Sequence, residues 1–153
     1  MLEALEKIGK LKRVLGLAAI QEMKPLGIHP KQAHILYHLE KKGAGSLADL
    51  SRSTESDPAA VCRMVDQLVK RGLVKEDEHP TDRRRWQLSL TEKGKPLSRE
   101  VRKLYDGLAV RMTARLNRQE RGELLRLLDK ILSGFCPDSR KGPRSPEAGP
   151  RRR

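Results

Sequence analysis

Two groups of polar side chains within residues 56–94 can form directed hydrogen bonds to a polyanion. Arg63 and Gln67 are four residues apart, which places them on one face of a predicted helix. Three consecutive arginines follow the turn-forming residues of the run His79-Pro80-Thr81-Asp82-Arg83-Arg84-Arg85. Guanidinium and amide groups donate hydrogen bonds to phosphate oxygens and to base edges. These residue types in this arrangement therefore indicate binding to a nucleic acid.

A capped amphipathic helix is predicted to carry the first group. Asp57 is a good N-cap, Pro58 suits the first helical position, and Gly72 supplies the stop. Val61, Met64, Val65 and Leu68 form one apolar stripe at helical spacing. The opposite face offers Ala59, Ala60, Cys62, Arg63, Asp66, Gln67 and Lys70. A helix that packs by one stripe can present this face to the major groove of DNA. The alternative for Arg63 is an intrahelical pair with Asp66 or Gln67.

A hairpin is predicted to carry the second group. Residues 73–78 and 86–90 predict two strands, joined by a turn at Pro80-Thr81-Asp82. Trp86 shares one face with Leu88 and Leu90, so we favour packing over base stacking for its ring. A short helix followed by a hairpin with arginines at its tip is the plan of a winged helix-turn-helix.

Three helices are predicted ahead of this unit, at residues 2–22, at residues 30–41 and from Leu47 to about Ser53, the last capped by Ser46. Apolar positions along residues 2–22 and 97–132 exceed what a small winged domain can cover. We therefore expect these segments to pack against a second copy of the chain.

Two further helices are predicted after the hairpin. Thr91 should cap the first of them, and Pro96 should disturb its start, because proline lacks the backbone N–H. Asn117 and Gly122 should mark the break between the two helices, and Gly134 should help to close the second. The predicted segments are an N-terminal dimerisation helix (1–27), a winged helix-turn-helix domain (28–95), C-terminal dimerisation helices (96–136) and a disordered basic tail (137–153).

Composition narrows the classes of function. The 153 residues carry a net charge of +13 with a pI of about 10.2, which favours a polyanionic partner over a protein that is merely soluble. No apolar run approaches the roughly 20 residues that span a bilayer. Glu3 and Glu6 exclude a signal peptide, so we expect a cytoplasmic protein. Neither a glycine-rich phosphate loop nor a nucleophile–base pair is evident, so we expect no enzyme activity and no cofactor.

The histidines and cysteines offer weaker alternatives. His34 and His38 lie four apart, a spacing that can hold a metal ion, but we favour surface or ligand-pocket roles for them. Cys62 and Cys136 are far apart and form no CxxC pair. Inert thiols are the favoured interpretation, with oxidant sensing as the alternative.

The chain resembles the MarR (multiple antibiotic resistance regulator) family of bacterial transcription factors. The resemblance covers roughly residues 28–97, and its most specific part is the arginine-tipped hairpin with the residues that follow it. The matching residues are Gln32, Leu36, Leu39, Leu47-Ala48-Asp49-Leu50, Val61, Arg63-Met64-Val65-Asp66-Gln67-Leu68, Gly72-Leu73-Val74, Pro80, Asp82-Arg83-Arg84 and Leu88-Ser89-Leu90-Thr91-Glu92-Lys93-Gly94.

The resemblance implies a mainly α fold with a small β-hairpin wing, a homodimer, a pseudo-palindromic double-stranded DNA operator and a small-molecule or oxidant signal. It implies that Arg84 enters the minor groove, that Asp82 orients Arg84, and that Arg83 and Arg85 meet phosphates. Relatives often carry Ser or Thr where this chain has Ala59 and Ala60. A solvated run of charge is the alternative for the arginines.

The favoured function is a dimeric, ligand-responsive transcriptional regulator, usually a repressor. The alternative is a winged-helix module that binds other proteins and has no sequence-specific affinity for DNA.

Overall fold

The computed structural model describes residues 1–79 and 82–135, except for the side chains of residues 79 and 82–85. Its elements are α1 (Leu2–Met23), α2 (Pro30–Lys42), β1 (Ala44–Gly45), α3 (Leu47–Thr54), α4 (Pro58–Lys70), β2 (Val74–His79), β3 (Asp82–Leu90), α5 (Gly94–Thr113) and α6 (Arg118–Phe135), with a short 3-10 helix, Lys24–Leu26, after α1. The predicted mainly α fold with a β-hairpin wing is confirmed. The predicted tail, residues 137–153, and Cys136 lie outside the described residues.

Local capping explains where the helices of the predicted helix-turn-helix begin. The Ser46 hydroxyl accepts a hydrogen bond from the Asp49 N–H at 3.2 Å, and the Asp49 carboxylate accepts from the Ser46 N–H at 3.0 Å. This reciprocal pair is a capping box for α3. Asp57 accepts from the Ala60 N–H at 2.8 Å and starts α4, as predicted. Gly72, at a φ of 69°, ends that helix in the left-handed region.

The core lies between α2, α3, α4, the sheet and the first turns of α5. Val61, Val65 and Leu68, three of the four residues of the predicted stripe on α4, are buried, and Met64 is half-buried. The remaining buried apolar residues of this cluster are Met23, Ile28, Ala33, Ile35, Leu36, Leu39, Leu50, Leu73, Val74, Leu88 and Val101. The opposite face of α4 is therefore left to solvent.

The sheet has three antiparallel strands in the order β1-β3-β2. Strand β1 is only two residues long and was not predicted. Strand β3 begins at Asp82, which pairs with His79, so assigning Asp82 to the turn was wrong. Trp86 is 61% exposed, so the prediction that its ring packs is also wrong. Leu88 shares its face and is buried, but Trp86 lies beyond the edge of the core.

One prediction about a helix boundary was wrong. Gly122 lies inside α6, because one glycine costs a helix only about 1 kcal/mol. The prediction for Asn117 is confirmed, since α6 begins directly after this residue, which exchanges hydrogen bonds of 2.8 and 2.9 Å with Glu120. Gly134 lies in the last turn of α6, and the residues after Phe135 lie outside the described residues, so its role in closing the helix stays a prediction.

The start of α5 is regular despite its proline. Thr91 caps this helix through a hydrogen bond from the Gly94 N–H to its hydroxyl at 3.0 Å, as predicted. Pro96 falls in the first turn, where a backbone N–H has no partner within the helix. The predicted disturbance is therefore absent.

The described residues divide into two compact units, one from Met1 to Ala109 and the other beginning at Val110. The first contains the helix-turn-helix and the hairpin. No helix among the described residues is long and apolar enough to cross a membrane.

Candidate nucleic-acid interface

The outer face of α4 presents hydrogen-bond donors. Arg63 and Gln67 are exposed one turn apart, and Ala59 is exposed near the start of the helix, with Ala60 half-buried beside it. Among the side chains that the structure describes, no carboxylate forms an ion pair with Arg63. The guanidinium is therefore available to an acceptor outside this part of the chain.

Gln67 has a partner on a different helix. The Gln32 amide nitrogen donates to the Gln67 side-chain oxygen at 2.6 Å, and the Gln32 side-chain oxygen accepts from the His29 N–H at 3.2 Å. This link between α2 and α4 was not predicted from the sequence. The spacing of His29 and Gln32 fits an N-cap residue and its partner three positions later, but it carries no signal for the bond to Gln67.

Helix α2 also holds the turn between α3 and α4. The Lys31 ammonium donates to the Ser56 hydroxyl at 2.9 Å. The neighbouring residue Glu55 has a φ of 49°, a left-handed conformation that side chains other than glycine seldom adopt. Thr54 fixes the end of α3 by donating its hydroxyl proton to the Leu50 carbonyl at 2.7 Å. These contacts set the angle at which α4 leaves the turn.

His34 and His38 occupy a packed environment along α2. The ring of His34 lies 6.3 Å from that of Tyr37 and 6.4 Å from that of Tyr105, measured between centroids. Burial lowers the pKa of His34, and the neighbouring His38 lowers it further, against a backbone hydrogen bond with Ser53 that raises it. Burial likewise lowers the pKa of His38, partly offset by the Asp49 carboxylate. Within the described residues, no group of three or more His, Cys, Asp or Glu could hold a metal ion.

These lowered pKa values predict an acid-sensitive fold. A histidine whose pKa is lower in the folded than in the unfolded chain stabilises the fold only when it is neutral. Its contribution is complete above the ordinary pKa of about 6.5 and is lost as the pH falls through that value toward the lowered one. We expect the melting temperature to decrease between pH 7.5 and pH 5.5. A variant with both His34→Gln and His38→Gln should show a smaller decrease, and an equal decrease in the two proteins would contradict this assignment.

The wing is defined by its backbone. Strands β2 and β3 pair from Val74 opposite Leu90 to His79 opposite Asp82. The side chains of Asp82, Arg83, Arg84 and Arg85 lie outside the described residues, so their predicted contacts with DNA stay predictions. Among the described side chains of the hairpin, Lys75 and Asp77 form an ion pair at 2.8 Å.

Cys62 is half-buried on α4 beside the exposed face. The inert thiol and the oxidant sensor both stay predictions for this residue.

Comparison with known proteins identifies the class of this DNA-reading arrangement. The MarR family model matches residues 28–86. The chain is 25% identical over 122 residues to the HTH-type transcriptional repressor MdtR of Bacillus subtilis, covering 80% of this chain and 79% of MdtR.

Two solved structures share the fold at 25% identity, each with a TM-score of 0.72 and each covering 83% of this chain and 91% of the other. One is a mutant MarR from Escherichia coli complexed with operator DNA. The other is BpsR of Bordetella bronchiseptica, whose DNA binding is described as regulated by 6-hydroxynicotinic acid. The capped helix-turn-helix, the hairpin wing and these likenesses agree that residues 28–86 form a domain of the MarR family of transcriptional regulators.

Proposed function

We propose that this protein is a homodimeric, ligand-responsive repressor that binds a pseudo-palindromic DNA operator. Helix α4 enters the major groove and the wing reaches the adjacent minor groove. The observation that carries the proposal is the two-sided character of α4, which buries Val61, Val65 and Leu68 and exposes Arg63 and Gln67. A repressor among its relatives and an operator complex of a protein with the same fold support it.

Charge supports a nucleic-acid partner for this face. The net charge of +13 favours association with the phosphate backbone, which supplies affinity but no sequence preference. Contacts to base edges supply sequence preference, and we assign this role to the exposed Arg63 and Gln67. Arg84 suits the minor groove, because a narrow groove concentrates negative potential. A regulator of chromosomal genes acts in the bacterial cytoplasm.

Exposed apolar residues support the dimer. Helix α1 leaves an apolar residue at every third position between 47% and 78% exposed, namely Leu2, Leu5, Ile8, Leu11, Val14, Leu17 and Ile20. Helix α6 leaves a second set between 41% and 81% exposed, namely Leu125, Leu127, Leu128, Ile131, Leu132 and Phe135. Burying such surface stabilises by about 25 cal/mol per Å². A second copy of the chain is the partner proposed for both sets.

We expect a single dimeric species at micromolar concentration in sedimentation velocity. Replacing Leu128 and Leu132 together with glutamate should shift the population toward monomer, because two buried charges per subunit would be left unpaired. The matched control is Arg121 and Lys130 to glutamate, which adds acids to the same helix at positions that are already charged. A folded monomer of the unaltered protein would refute the dimer.

An effector would act by changing the separation of the two copies of α4. Half-sites on one face of DNA are spaced about 34–36 Å apart, so an effector that holds the dimer at another spacing weakens binding without itself touching the DNA. A ligand shifts this equilibrium only by its difference in affinity for the two spacings. The regulation of BpsR by 6-hydroxynicotinic acid supports a small-molecule effector for this protein as well.

Selection of bound sequences from random DNA tests the function directly. We expect enrichment of a two-fold-related motif with half-sites about one helical turn apart. A salt titration on the winning site should then give a log–log slope of roughly −0.9 per neutralised phosphate. Failure to enrich any sequence would favour the protein-interaction module instead.

A further inference from the structure

The amide of Gln67 is held in one orientation by a hydrogen-bond relay through His29 and Gln32. In this relay the His29 N–H donates to the Gln32 side-chain oxygen at 3.2 Å, and the Gln32 amide nitrogen donates to the Gln67 side-chain oxygen at 2.6 Å. Gln32 is only 8% exposed, so water has little opportunity to replace either partner. Gln67 is exposed on the outer face of α4.

The backbone N–H of His29 sets the direction of the hydrogen bonds in this relay. A backbone N–H can only donate, so Gln32 must turn its oxygen toward His29. A primary amide is planar and carries its NH₂ group opposite the oxygen, so the nitrogen of Gln32 faces α4. Gln67 must then present its oxygen to Gln32 as the acceptor. Its own NH₂ group, with two donors, is left for whatever approaches the outer face of α4.

We propose that Gln32 is a positioning residue that makes Gln67 present donors, and that Gln67 thereby selects base edges bearing acceptors. Guanine, with acceptors at N7 and O6, is the preferred base, and thymine O4 is the next. Adenine is disfavoured, because its bidentate pair with glutamine needs the oxygen and the nitrogen of the amide side by side on the base edge. The inference rests on the proposed placement of α4 in the major groove.

The neighbouring residue strengthens the same preference. Arg63 lies one turn before Gln67 on the same face and carries donors only. The two side chains together offer a donor surface, which matches consecutive acceptors along a purine edge. If Gln32 served only to cap α2, its replacement would alter stability and would leave base preference unchanged.

Replacing Gln32 with glutamate should reverse the amide of Gln67. A carboxylate still accepts from the His29 N–H but has no donor for Gln67, so Gln67 must donate to it and turn its oxygen outward. We expect the preference at one base pair of each half-site to move from guanine to a base with an exocyclic amino donor, adenine or cytosine. A single neutral hydrogen bond is worth about 0.5–1.5 kcal/mol, so discrimination should change by roughly three- to tenfold. The measurement is selection from random DNA with each purified protein.

Two further variants keep the test decisive if a buried carboxylate impairs folding. Gln67→Glu changes an exposed residue, and its carboxylate can still accept a hydrogen bond from Gln32. The carboxylate presents only acceptors to DNA, so this variant should show the same change of base preference as Gln32→Glu. Gln32→Met conserves volume and removes both hydrogen bonds, so Gln67 turns freely and discrimination at that base pair should fall by roughly three- to tenfold. Preference at all other positions should be retained.

The matched control repeats both Gln32 substitutions in a Gln67→Ala background, where they should leave base preference unchanged. The inference is overturned if the variants weaken all sites equally, or if the change of preference persists without Gln67. In either case the unaltered protein still enriches a motif, and its proposed function stands. If the unaltered protein enriches no motif, both the proposed function and this inference are refuted.

Discussion

Replacing Arg84 with alanine is expected to weaken operator binding by at least about 30-fold while the fold stays intact. One arginine that contacts bases contributes about 1–3 kcal/mol, and a dimer carries two copies, so a 30-fold loss, about 2 kcal/mol, is the lower bound. Residue 84 belongs to β3 near the tip of the hairpin, away from the buried cluster that ends at Leu88. The measurement is fluorescence anisotropy with labelled operator at one fixed salt concentration.

Three companion variants separate the wing contact from bulk charge. Arg126→Ala removes an exposed arginine that pairs with Glu123 on α6, and it should change affinity by less than about twofold. Asp82→Ala should weaken binding less than Arg84→Ala, because an orienting residue makes no contact of its own. The variant that combines Asp82→Ala with Arg84→Ala should bind the operator as tightly as Arg84→Ala alone. Unchanged affinity of Arg84→Ala would refute the wing assignment.

Replacing Gly94 with alanine is expected to destabilise the protein by about 3 kcal/mol and to lower its melting temperature by about 10 °C. A Cβ atom at Gly94 would lie 2.0 Å from the carbonyl oxygen of Leu73 and 2.9 Å from its carbonyl carbon. That oxygen also accepts the Thr91 N–H at 3.1 Å, so it cannot retreat without breaking the junction between the hairpin and α5. Backbone, rather than a flexible side chain, blocks the added methyl group.

Gly107→Ala is the matched control within the same helix. Apart from the nearby backbone of α5 itself, no atom of the described residues lies within 4 Å of a Cβ at Gly107, so alanine should be neutral there or should stabilise the helix by up to about 1 kcal/mol. Thermal unfolding of the two variants, followed by circular dichroism, makes the comparison. Equal stabilities would show that α5 does not approach Leu73 as closely as described.

The sequence by itself determined the elements whose signals are local. Asp57 and Pro58 begin α4 and Gly72 ends it, because caps and stops act on backbone groups within one turn. The stripe of Val61, Val65 and Leu68 fixed which face of α4 is buried, and therefore that Arg63 and Gln67 are exposed. The presence of the hairpin followed from alternation and from turn residues close in sequence, but its register, with Asp82 paired to His79, did not. The wing residues that suggest minor-groove binding were likewise visible as a motif.

Only the tertiary structure decided features that depend on residues far apart in sequence. Trp86 lies on the same face of β3 as Leu88 and Leu90, yet its ring is exposed. Alternation with a period of two predicts which residues share a face, but the extent of the core beneath that face depends on the packing of other elements. Strand β1 exists only because Ala44 and Gly45 meet β3. The bond between Gln32 and Gln67 joins residues 35 positions apart. The resulting orientation of the Gln67 amide is set by which groups folding brings within hydrogen-bonding distance, and no local pattern encodes it.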